Sequence, residues 1–177
     1  MILTRIERMF HNFGSVTSVG FHEDETGFSR TLKGEIMSEH ENTRLVQQTY
    51  ENTKAGDIQS LLNSFAEDIE WVLPEMENVP FAGTWRGRDG TRQFFGKVFE
   101  VQDVLEFEPE EFFAQGDKVV VLGHFTMRIK STGREFSSKW AHVWTVRGGK
   151  VTHFYEYVDT AVVSRAYTAA RTAAKTR

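Results

Sequence analysis

The chain has 177 residues, 40% of them hydrophobic and 26% charged, with a formal net charge of −4 and a pI near 5.9. That length suits one domain with a substantial core, and the acidic balance without a sustained Lys/Arg stripe argues against nucleic acid as a partner. The lack of cysteine removes disulfides and thiolate chemistry; no run approaches the roughly 18 apolar residues of a membrane span, and MILTRIERMF lacks a secretory signal's apolar block, so a cytoplasmic location is expected.

Residues 1–37 mix Gly, Ser, Thr and charge with scattered Phe and show no steady period, which reads as an extension outside the core, with Met37 a candidate natural start. The capping box Ser38-Glu-His-Glu41 opens a helix running to about Lys54. Ala55-Gly56-Asp57 ends it and caps a second helix, in which Ile58, Leu61, Leu62 and Phe65 fall at helical spacing. Ile69 to Leu73 alternates as a strand, and Pro74 to Gly87 is a loop whose Phe81 and Trp85 can form the lip of a pocket. A third helix spans about Asp89 to Glu100, with Phe94, Phe95, Val98 and Phe99 on one side.

Four strands follow, at about 104–114, 118–130, 134–146 and 150–159, divided by short Gly-containing turns into an antiparallel meander in which Pro109 marks a bulge or an edge. Helices first and antiparallel strands after imply an α+β domain over residues 38–162, three helices packed on a strongly curved sheet. Residues 163–177 are Ala-rich with Arg and Lys and no acid, and read as a frayed, solvated helical tail.

The last hairpin is the most informative stretch. With Gly148-Gly149 as a two-residue turn, counting outward sets Val146 against Val151 and Ala141 against Glu156. One face then carries Trp140, His142, Trp144, His153, Tyr155 and Tyr157, and the other carries Ala141, Val143, Phe154, Glu156 and Val158. Three helices cannot cover both faces, so the aromatic face is expected to meet a second copy in a homodimer.

The segments NTKAGDIQSLLNSFAEDIEWVLP, FAGTWRGRDGTRQFF and WAHVWTVRGGKVTHFYEYVDT resemble the SnoaL-like branch of the nuclear transport factor 2 (NTF2-like) superfamily, which includes ketosteroid isomerase and the polyketide cyclases. The likeness covers about residues 40–162 and implies an NTF2-like cone. The superfamily joins enzymes to non-catalytic modules, so the fold alone decides no activity. The isomerase's carboxylate base would fall at Leu73, before Pro74. Its tyrosine would fall at Thr49, beside Tyr50, and its protonated acid at Ala141, before His142. Its working groups are thus absent or displaced.

Glu156 offers a substitute. Set against Ala141, it would enter the same cavity, walled by Trp71, Leu73, Val143, Phe154 and Val158, as a general acid or base; the bland alternative is a structural pair with Lys139. Tyr50 or His124 could donate a hydrogen bond to a ligand. The facing of His124 stays open, because Phe125, Met127 and Ile129 suggest one register while Val120 and Leu122 permit the other. A metal site is not expected, since His153 and Glu156 differ in parity and no His-x-His pair exists. The expectation is a protein for a small apolar or aromatic molecule: an isomerase, cyclase, dehydratase or hydrolase needing no cofactor, or a non-catalytic binding or dimerisation module.

Overall fold

The computed structural model describes residues 38–175, with side chains to Thr168, so the expected extension over 1–37 lies outside the described residues. Among these residues the order is α1 Glu39–Lys54, α2 Ile58–Asn63, β1 Phe65–Leu73, β2 Gly83–Arg86, α3 Gly87–Val101, β3 Gln102–Gln115, β4 Lys118–Ile129, β5 Glu135–Arg147, β6 Lys150–Val158 and α4 Thr160–Lys175.

Local chemistry sets the helix starts. The Ser38 hydroxyl accepts from the Glu41 backbone N–H at 3.2 Å while the Glu41 carboxylate accepts from the Ser38 N–H at 2.7 Å, a complete capping box. Gly56, at φ 72°, turns the chain, and Asp57 caps α2 by accepting from the Ser60 N–H at 2.9 Å. Phe65, expected on the second helix, instead opens β1 and is fully buried. The loop before α3 contains the short strand β2, which pairs antiparallel with β1.

The six strands form one curled, unclosed sheet in the order β2-β1-β6-β5-β4-β3. The meander β3–β6 is antiparallel, and β1 joins it parallel to β6. Period-two alternation is clean on β4, where Val119, Val121, Gly123, Phe125, Met127 and Ile129 are all buried. β3 is an edge strand with a register shift between Pro109 and Glu111, so Pro109 sits where its missing N–H costs least.

The hairpin departs from simple counting. Arg147 pairs with Lys150 and Val146 with Val151, as the two-glycine turn requires, but Thr145 pairs with His153. Thr152 is therefore the extra residue of a β-bulge. Every later pair shifts by one, so His142, not Ala141, faces Glu156, and Ala141 faces Tyr157. A one-residue shift exchanges the faces. Trp140, His142 and Trp144 therefore share the inner face with Phe154, Glu156 and Val158. The expectation that the first three meet a second copy is overturned: all three are buried inside the monomer.

The C-terminal segment also differs from the solvated tail expected of it. Asp159 accepts from the Ala161 and Val162 N–H groups at 3.0 Å each and starts α4, whose Val163, Ala166 and Tyr167 are buried. The Tyr167 hydroxyl donates to Gln102 Oε1 at 2.8 Å, tying the helix to the start of β3.

Candidate functional site

Inside the curl lies a cavity of about 910 Å³. Its walls are mostly apolar: Trp71 and Leu73 from β1, Phe81 from the following loop, Phe94, Phe95 and Phe99 from α3, Phe107 and Phe112 from β3, and Phe154 and Val158 from β6. Trp71 stacks on Phe154 with centroids 3.8 Å apart and planes 16° from parallel, which fixes one wall. Volume and lining both suit a small organic molecule.

Four of the polar side chains that interrupt the apolar lining form a connected chain. Trp144 Nε1–H donates to the Tyr50 hydroxyl oxygen at 3.0 Å; the same hydroxyl lies 2.8 Å from His142 Nδ1; and His142 Nε2 lies 3.4 Å from Glu156 Oε1. An indole can only donate, so Tyr50 must accept from Trp144 and is best satisfied by donating to His142 Nδ1. His142 then carries its proton on Nε2 and donates to Glu156. The opposite tautomer would set a nitrogen lone pair against a carboxylate.

Burial raises the Tyr50 hydroxyl well above its ordinary range, with the Trp144 hydrogen bond opposing and the Glu156 charge adding to it. Burial likewise lowers His142, and the hydrogen bond and charge of Glu156 only partly offset this, so the imidazole is held neutral. The ring is clamped by Trp140, stacked at 3.9 Å, and by the edge-on Phe154 at 4.8 Å. The Trp140 ring needs room across β4, which Gly123 supplies: a Cβ there would strike the indole and the Glu108 carbonyl.

Glu156 lies in the cavity lining with 14% of its side chain exposed, far from the Lys139 pairing considered as its bland alternative. Among the described residues nothing donates to its second oxygen, Oε2.

Of the residues proposed from sequence, Glu156, Tyr50, Trp71, Leu73, Phe81, Phe154 and Val158 meet around this cavity. Ala141 and Val143 do not. The bulge turns both to the outer face, where Val143 joins His153 and Tyr155 in a shallow depression. Trp85 is turned away by its indole N–H, which donates to the Phe81 carbonyl at 3.1 Å. His124 also leaves the set, because β4 alternation points it outward, 3.0 Å from Glu110 and 3.5 Å from Glu106. Sequence reasoning missed His142 and Trp144 as inner residues; the signal was in the burial parity of β4, which continues across the register into Trp140, His142 and Trp144. His153, Tyr155 and Tyr157 remain on the outer face, with Tyr157 57% exposed.

Among the described residues no group of three or more His, Cys, Asp and Glu converges as a metal site, and no helix is long and apolar enough to cross a membrane.

Comparison with known proteins agrees with this architecture. Residues 46–154 match the family model of the SnoaL-like domain. An NTF2-like protein of Burkholderia xenovorans LB400 is 41% identical, with a TM-score of 0.69 over 74% of this chain and 98% of that one. TerC, crystallised with polyporic acid, is 31% identical, with a TM-score of 0.62 over 72% of this chain and 98% of that one. An uncharacterized protein of Mycobacterium tuberculosis is 25% identical over 122 residues, 68% of this chain and 91% of that protein. With its meander, its internal cavity and a match over most of its length, the chain belongs to the SnoaL-like family of the NTF2-like superfamily.

Proposed function

We propose that the protein binds a small aromatic or apolar carbonyl compound and moves a proton within it, with Glu156 as the acid-base group. The observation that carries this reading is a carboxylate in a mostly apolar cavity, held through one oxygen by a neutral histidine at 3.4 Å and, among the described residues, with its other oxygen unengaged. A general base must meet carbon-bound hydrogen with a free lone pair, and Oε2 has one.

In the proposed step Oε2 takes a proton from the carbon beside the carbonyl, and the C–H electron pair delocalises into the carbonyl. The new O–H bond then breaks as the proton returns to another atom of the same molecule. Isomerisation, ring closure and loss of water all share this first step, and none of them needs a group that the chain cannot itself supply. Tyr50 and Trp144 act through His142, fixing its tautomer so that Nε2–H stays on Glu156. The co-crystallisation of TerC, a 31% identical relative, with polyporic acid supports a small organic ligand for this chain. The outer face, with exposed Tyr157 and half-buried Val143 and Tyr155, is the surface through which a homodimer would form.

The test is hydrogen–deuterium exchange at the activated carbon of aryl ketones in D₂O, followed by proton NMR with catalytic protein. Wild type accelerates exchange, and Glu156→Gln lowers that acceleration by about 100-fold or more while leaving the fold intact. Full exchange activity in the Gln variant would remove Glu156 from the chemistry, and saturable binding without exchange in wild type would make the protein a binding module.

A further inference from the structure

One further polar side chain of the cavity lining lies outside the Trp144-to-Glu156 chain and is unused by the proton-transfer reading. Gln102 lines it, is 4% exposed, and holds its Oε1 as acceptor for the Tyr167 hydroxyl at 2.8 Å. Among the described residues nothing accepts from its amide nitrogen. With its oxygen engaged, and its nitrogen not among the sealed, partnerless polar atoms, the amide keeps two N–H donors for an acceptor in the cavity. In this arrangement Oε1 is turned to the Tyr167 hydroxyl, which leaves Nε2 to point elsewhere.

The separation of the two groups follows from the sheet register. Glu156 faces His142, which lies beside Val121 of β4, whereas Gln102 lies beside Ile129. Val121 and Ile129 are eight residues apart on one strand, about 26 Å along an extended chain, and both side chains reach inward to shorten the gap. The lining they share is mostly aromatic and aliphatic.

We propose that Gln102 anchors the far end of the ligand by donating from Nε2 to a carbonyl or similar oxygen, so that the substrates are elongated aromatic molecules polar at both ends. This deepens the proposed proton-transfer function and rests on it for the ligand-binding role of the cavity. Gln102 is then a specificity-determining residue, and Tyr167, which touches no ligand, positions it.

The test compares 4-acetylbiphenyl with 4-isopropenylbiphenyl, which differ in carbonyl oxygen against methylene at constant shape, by quenching of the fluorescence of Trp71 and Trp144 in the cavity wall. Wild type binds the ketone about threefold to tenfold tighter, the effect of one neutral hydrogen bond. Q102L and Q102M each erase that preference while leaving the alkene's affinity within twofold, and Y167F weakens it. Equal binding of both probes by wild type, or a ketone preference surviving in Q102L or Q102M, overturns the assignment of Gln102 and leaves the Glu156 reading standing. Failure of both probes to bind wild type refutes the ligand cavity itself, and this proposal with it.

Discussion

Tyr50→Phe is the sharpest test of the buried polar chain, because one oxygen serves two partners. Removing it leaves the Trp144 Nε1–H, 3.0 Å away, without an acceptor and His142 Nδ1, 2.8 Å away, without a donor. Each buried group stranded in this way costs about 1–3 kcal/mol. Both border a cavity that water can reach in part, so the low end of each range applies and the sum is about 2–4 kcal/mol. The lost atom itself leaves almost no void, so cavity formation adds little. The assay is guanidinium unfolding followed by far-UV circular dichroism, reading the midpoint with the slope held common. Y50F/W144F should lose about 1 kcal/mol less than the sum of the single variants, because the donor and its acceptor leave together. A Y50F loss below about 0.5 kcal/mol, or strict additivity in the double variant, would show that the chain from Trp144 to His142 is not made in solution.

Acidity tests the neutral histidine. Burial depresses His142 in the folded state, so the unfolded chain takes up a proton at about pH 6.5 that the folded chain refuses. The stability due to this residue is thus complete above that pH and falls as pH drops through it toward the depressed folded-state value. Denaturant midpoints between pH 5 and 8 should show this slope in wild type and a flatter one in His142→Asn; identical slopes would contradict it. Gly123→Ala places a methyl group against the Trp140 indole and a β3 carbonyl, and should cost about 3 kcal/mol or more in the same unfolding assay. Loss of less than 1 kcal/mol would mean that the indole moves freely. Deleting Thr152, the extra residue, makes the ladder regular while keeping Thr145 opposite His153 and His142 opposite Glu156, so the variant should stay folded, by thermal melting, and retain ketone–proton exchange; loss of exchange in a folded variant would refute the assigned register.

The layout was legible because it depends on strong, local signals. The Ser38 to Glu41 capping box, the Gly56-Asp57 turn and the paired glycines at 148 and 149 each dictate a backbone conformation, and each appears where the residues require it. The site was less legible, because facing in a strand is a parity and a single uncounted residue inverts it. Nothing about Thr152 marks a bulge: it is β-branched and suits an ordinary strand position. The one-residue shift therefore carries Ala141 and Val143 from the inner face that simple counting implies to the outer one, and Trp140, His142 and Trp144 the other way. β4 carried the corrective. Its alternation from Val119 to Ile129 fixes the inner face without any turn count, and Gly123 marks where a large ring must cross. α4 was misread for another reason: its Ala and Arg content suggests solvation, whereas Val163, Ala166 and Tyr167 recur at the spacing of a single buried stripe.

The bulge and the polar chain make one argument together. A regular hairpin would set Glu156 on the outer face, where a carboxylate has water and suffers no desolvation. The inserted Thr152 interrupts the ladder and turns that carboxylate toward the cavity, where among the described residues only His142 donates to it. Both changes oppose stability, one by disrupting strand pairing and the other by burying charge. An apolar residue at position 156 with a regular strand would make the more stable domain. What the bulge secures is direction: one oxygen fixed by a histidine of set tautomer, the other facing the space a ligand would fill, which is the arrangement the proposed proton transfer requires.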